Sequence, residues 1–118
     1  MSFMKRFKWH KIADKVDDIK WSPGKVAQVE VEGKTLCIGQ FNDQLFGFAS
    51  HCPHAGAPML DGYIDGGCRV VCPVHSMKFN LQNGREANGD GYRLKTYPIE
   101  KREDGLYLGI EEGLFKWH

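Results

Sequence analysis

The chain has 118 residues, with 16 basic and 15 acidic side chains, a formal charge of +1, and 42% hydrophobic residues. That length and composition fit one globular domain spanning residues 1–118 and exclude a disordered or fibrous chain. The near-balance of charge excludes the basic footprint of a phosphate-backbone binder, so nucleic acid is not an expected partner.

At the start of the chain, Lys5, Arg6, Lys8 and Lys11 read as a solvated strand edge guarded by Lys. No apolar run follows them before Asp14, so they do not open a secretory signal. Ile12, Val16 and Ile19 recur at helical spacing over a stretch too short and too charged for more than a turn or two. Turn signals at Pro23-Gly24, Glu32-Gly33 and Asn42-Asp43 then bracket apolar runs at 25–31, 35–41 and 44–49, which predict a meander of three antiparallel strands.

A shorter pair, about 60–64 and 68–71, flanks Asp65-Gly66-Gly67, and another run covers 78–81. The segments 97–102 and 106–110 predict a terminal hairpin, in which Leu106, Leu108 and Ile110 alternate with Tyr107 and Gly109. The expected fold class is all-β. The longest uncharged stretch, 44–60, holds two His, a Cys, two Pro and a Gln, so no membrane helix and no membrane partner are expected. A cytoplasmic location follows, where cysteines favour metal ligation or burial over disulfides.

Two small clusters interrupt the strand-and-turn pattern: Cys52-Pro53-His54 and Cys72-Pro73-Val74-His75. Each offers one thiolate and one imidazole on a Pro-containing loop, and the hairpin between them brings the chain back to nearly the same place. Four donors therefore converge. A tetrahedral zinc site is one use of two Cys and two His, but zinc fingers group Cys with Cys and His with His. Mixing them within each loop suits a two-iron cluster in which the two Cys bind one iron and the two His the other.

On these residues the sequence resembles the Rieske family, whose pattern of C-x-H, a spacer and C-x2-H is matched by Cys52, His54, Cys72 and His75. The resemblance implies a Rieske-like antiparallel β sandwich with a small cluster-binding subdomain, and cluster-binding loops at about 51–59 and 72–79. It implies one [2Fe–2S] cluster held by those four residues, with backbone donors around Gly56 and Ser76. It also implies a soluble ferredoxin that accepts one electron from a ferredoxin reductase and passes it to a terminal oxygenase, such as a ring-hydroxylating dioxygenase, or to another oxidoreductase. The small subunit of an assimilatory nitrite reductase and a zinc-stabilised interaction module without a redox role are the alternatives. In such a cluster two thiolates and two sulfides just balance two ferric ions, so adding an electron costs less than in a four-thiolate cluster.

Several positions depart from the family's high-potential members. Ala57 and Val74 stand where those members carry a disulfide, and Met77 and Phe79 where they place hydroxyl donors to the cluster sulfurs. No such bridge can form, and the missing hydroxyls point to a potential toward the lower end of a range of roughly −150 to +300 mV. Residues 86–92 lack the Pro that often marks the covering loop, which suggests a looser cover, and Ser76 replaces a frequent Gly. Cys37 and Cys68 read as structural thiols, His51 as pointing away from the site, and His10 and His118 as surface residues. Trp9, Trp21 and Trp117 read as aromatic pins that hold the chain ends onto the core.

Overall fold

The computed structural model describes residues 5–54, 56–89 and 91–114. Among them are ten strands: β1 Lys5–Ala13, β2 Val26–Val31, β3 Lys34–Phe41, β4 Gln44–Ala49, β5 Tyr63–Ile64, β6 Arg69–Val71, β7 Lys78–Asn80, β8 Thr96–Tyr97, β9 Ile99–Arg102 and β10 Gly105–Leu114. All pair antiparallel, in three sheets of order β1-β10-β9, β2-β3-β4-β8 and β5-β6-β7. The all-β fold is as expected, and the third sheet is inserted between β4 and β8.

The four-stranded sheet is the middle layer, and β3 shows why. Consecutive residues of a strand face opposite sides. Cys37 joins a core with Phe48, Val70, Phe79 and the two other buried cysteines, toward the inserted sheet. Leu36 and Ile38 instead join the cores that include Leu108 and Leu106 of β10. A strand covered on both faces has no polar side, so its run of apolar residues need not alternate. Burial holds the Cys37 thiol protonated, its pKa pushed up to about 11, as suits an apolar filler.

The basic segment at 5–11 is an edge strand, as expected; β1 carries it on to Ala13, and its register against β10 shifts between Lys5 and Phe7 and again between Lys11 and Ala13. Each bulge turns the side-chain alternation over, which hides a strand from period-two counting. Ile12, Val16 and Ile19 do not form a helix: Ile12 lies in β1, Val16 in a single 3-10 turn over Val16–Asp18, and Ile19 beyond it. All three pack against the same core. The run 97–102 is divided at Pro98, which has no N–H for a ladder. Before it β8 pairs with β4; after it β9 pairs with β10.

Trp9 packs over Gly109 of β10, and Trp21 donates its indole N–H to the Val16 carbonyl at 3.2 Å. His10 is half-buried, 3.6 Å from the Glu32 carboxylate, rather than a surface residue. Trp117 and His118 lie outside the described residues.

Candidate metal centre

The two loops that carry the candidate ligands are closed in the same way. The Cys52 N–H donates to the Ala57 carbonyl at 2.9 Å, and the Cys72 N–H to the Met77 carbonyl at 2.8 Å. Each is thus a six-residue loop led by Cys-Pro, whose ring fixes φ directly after the ligand position. The Cys52 loop leaves β4 and is held by a bridge between His51 and Pro58. The other loop lies between β6 and β7.

The hairpin that joins them is set by Asp65. Its carboxylate accepts from the N–H groups of Gly67 and Arg69 at 2.8 and 3.1 Å, and pairs with the Arg69 guanidinium at 3.0 Å. A side-chain oxygen that caps backbone donors fixes a tight reversal. Cys68 falls inside this turn at φ +60 rather than in a strand, and its thiol pKa is raised by partial burial and then by Asp65. The turn returns the chain, so the two loops meet.

They meet with like beside like. Cys52 and Cys72 are buried in the same core cluster. His54 and His75 are exposed, with ring centroids 5.9 Å apart and an interplanar angle of 76°. Among the described residues no group of three or more His, Cys, Asp or Glu side chains is arranged to hold a metal ion. The cysteines form an inner pair and the histidines an outer pair. That is the donor set of two adjacent irons with unlike ligands, and it fits a [2Fe–2S] cluster.

Electrostatics agree with this reading. Burial raises the Cys72 thiol pKa, the Val74 backbone N–H opposes that, and Cys52 raises it further. Two neighbouring thiolates repel in a low-dielectric site, and positive charge placed between them offsets that repulsion. All four cysteines are free.

Other positions singled out in the sequence fall around this centre. Phe79 is fully buried in the core that contains Cys52 and Cys72, and Met77 packs against it. Ala57 is buried while Val74 is 40% exposed. The His51 imidazole is exposed and bonded to the Ser50 hydroxyl at 2.8 Å. Gly56 donates its N–H to the Cys52 carbonyl at 2.8 Å, which closes its own loop.

One residue of the site escaped the sequence reading. Tyr92 lies with its ring centroid 4.8 Å from that of His54, at an interplanar angle of 75°. The segment 86–92 lacks Pro, yet hydrogen bonds hold several of its described residues. Its Glu86 N–H donates to the Tyr92 carbonyl at 3.2 Å, Ala87 N–H to Lys78 at 2.9 Å, and the Glu86 carboxylate accepts from Asn88 N–H at 2.8 Å. Hydrogen bonds do here what a proline ring does by covalent restraint. Gly84 admits the segment that precedes β8: it adopts φ +77, and a Cβ there would collide with the Leu94 carbonyl.

The match to known proteins follows the same residues. The family model of the Rieske [2Fe-2S] domain matches residues 8–98, and the chain belongs to that family. Membership carries with it one [2Fe–2S] cluster. The ferredoxin component of the naphthalene 1,2-dioxygenase system of Pseudomonas putida is 32% identical over 78 residues, covering 65% of this chain and 74% of that protein. The nitrite reductase [NAD(P)H] of Emericella nidulans is 32% identical over 107 residues, which cover 81% of this chain and 10% of that protein. Among solved structures, a complex of reduced oxygenase and oxidised ferredoxin of carbazole 1,9a-dioxygenase superposes with a TM-score of 0.70 at 26% identity, over 85% of this chain and 91% of that one.

Proposed function

We propose that the chain is a one-electron carrier that takes electrons from a ferredoxin reductase and delivers them to a terminal oxygenase of the ring-hydroxylating class. Cys52 and Cys72 hold the inner iron of its cluster, and His54 and His75 the outer one. The observation that carries the assignment is the split in exposure: both thiols are buried and both imidazoles are at the surface. The bound cluster supplies reversible one-electron chemistry. The chain shields the thiolate end within the Phe48 and Phe79 core and presents the imidazole edges where a partner can approach them.

Three further points belong to this proposal. Residues 1–118 form a single domain, since β10 runs beyond the family match at 8–98 and pairs with β1 near its beginning. The location is cytoplasmic: the four thiols are free, and among the described residues no helix is long and apolar enough to cross a membrane. The potential lies in the lower part of the roughly −150 to +300 mV Rieske range, because Met77 and Phe79 offer the cluster no hydroxyl.

The deciding experiment is paramagnetic resonance of the dithionite-reduced protein. Mixed nitrogen and sulfur ligation gives a lower average g than four sulfurs, whereas a colourless protein with stoichiometric zinc overturns the reading. The relative from Emericella nidulans favours a second assignment, to a nitrite reductase assembly. A stable complex with a large flavin- or haem-containing partner on gel filtration supports that one; a monomer that exchanges electrons with an oxygenase supports ours.

A further inference from the structure

His54 and His75 are matched in role but not in surroundings. Both are exposed, so neither ring is locked by burial, and rotation about the terminal imidazole bond is a broad torsion. His54 lies near two rings, His75 at 5.9 Å and Tyr92 at 4.8 Å, each edge to face with it. Edge-to-face pairs at such separations are favoured by the ring quadrupoles and add about 0.5–1.5 kcal/mol to area burial.

Tyr92 is not held there by burial. It is 40% exposed, one of the few large apolar side chains left at the surface among the described residues. The segment that carries it does hold its backbone. The Tyr92 carbonyl accepts from Glu86, whose neighbour Ala87 donates to the carbonyl of Lys78 in β7. An exposed ring on a fixed backbone, packed against an exposed ligand, has a use that the core does not require.

We propose that Tyr92 is a positioning residue for His54: its ring holds the imidazole plane in one orientation and covers one face of it from water, making the two histidines inequivalent. The inference rests on the assignment of His54 as a cluster ligand. Because the contact is made by the ring edge, phenylalanine preserves it and small side chains abolish it.

The test compares Tyr92→Phe, Tyr92→Leu and Tyr92→Ala with the unaltered protein, first without and then with the cluster. In the cluster-free protein, nuclear magnetic resonance reads ring-current shifts of the imidazole protons. Tyr92→Ala and Tyr92→Leu are expected to move those of His54 more than those of His75, and Tyr92→Phe to leave both in place. Equal shifts at the two histidines, or none, overturn the contact.

In the loaded protein, Tyr92→Ala and Tyr92→Leu are expected to broaden the paramagnetic resonance of the reduced form, as His54 samples several orientations. They are also expected to change the reduced-to-oxidised ratio against a fixed mediator severalfold. Tyr92→Phe is expected to match the unaltered protein. Unchanged line widths and ratios in variants that keep full iron content overturn the proposal. If the unaltered protein itself shows no mixed-ligand cluster signal, it is the ligand assignment that fails, and the cluster-free spectra still judge the contact. Should Tyr92→Ala not fold, Tyr92→Leu, of similar bulk but without a ring quadrupole, carries the comparison.

Discussion

The two loops of the metal centre share a closing hydrogen bond and a leading Cys-Pro, yet they solve the same backbone problem with different residues. In the loop from Cys52 to Ala57 the fifth position is Gly56, at φ +68, where a Cβ would meet nothing within 4 Å. In the loop from Cys72 to Met77 the fifth position is Ser76, at φ +52, and His75 before it is also left-handed at φ +63. Glycine enters that region freely, whereas other residues are opposed by about 1–2 kcal/mol. The second loop therefore carries backbone strain, and one of its strained residues, His75, is a proposed ligand. Strain at a functional site persists where the surroundings over-determine it. Here the buried Cys72 and Phe79 anchor both ends of the strained turn.

The comparison can be broken at several points. The largest effect is expected from Cys52→Ser or Cys72→Ser: both loops lose the cluster, and iron analysis with visible absorption reads the loss as complete. Cys37→Ser keeps full iron content, since that thiol belongs to β3 and is held protonated by burial. Equal loss in all three variants would show that burial, and not position in a loop, selects the ligands. Next comes Gly56→Ala, which puts into the first loop the strain that the second already bears. With open space around the new methyl, the cost is that of the backbone alone, about 1–2 kcal/mol, read from urea unfolding of the cluster-free protein.

Met77→Ser and Phe79→Tyr probe the hydroxyl-free surroundings of the second loop. One added hydrogen bond worth about 1 kcal/mol to the reduced state raises a one-electron potential by about 40 mV. Protein-film voltammetry on each variant separately checks this, and a downward shift in both would refute the account of the low potential. The smallest effect belongs to Ser76→Gly. Relief of the left-handed serine is partly offset by the greater freedom of glycine in the unfolded chain, so a net gain of about 0.5 kcal/mol is expected in the same urea experiment. A loss of stability instead would mean that the Ser76 side chain makes a contact worth more than the strain.

Much of this centre was legible because ligation depends on residue type and spacing, and both are written locally. Cys52, His54, Cys72 and His75 stood out without any structure, as did the Asp65 turn that reunites them. Strands β2, β3 and β4 of the middle sheet were also plain, since each is bounded by turn residues. Other features were not. The bulges of β1 cancel the alternation that would have shown how far that strand runs. Pro98 divides one apparent strand between two sheets, and a partner choice of that kind is not local. Tyr92 sits in a run of Gly and Asn, where a lone tyrosine gives no sign of the imidazole it will meet across the fold.

By itself, then, the sequence determined the class of fold, the four candidate donor residues and the family they point to, because hydrophobic period, turn chemistry and ligand spacing act over a few residues. Only the tertiary structure decided that the thiols are the buried pair and the imidazoles the open one, that Ser76 takes the left-handed backbone that Gly56 takes in the other loop, and that Tyr92 closes on His54. Those outcomes depend on which distant segments pack together, and packing is a property of the whole chain rather than of any stretch of it.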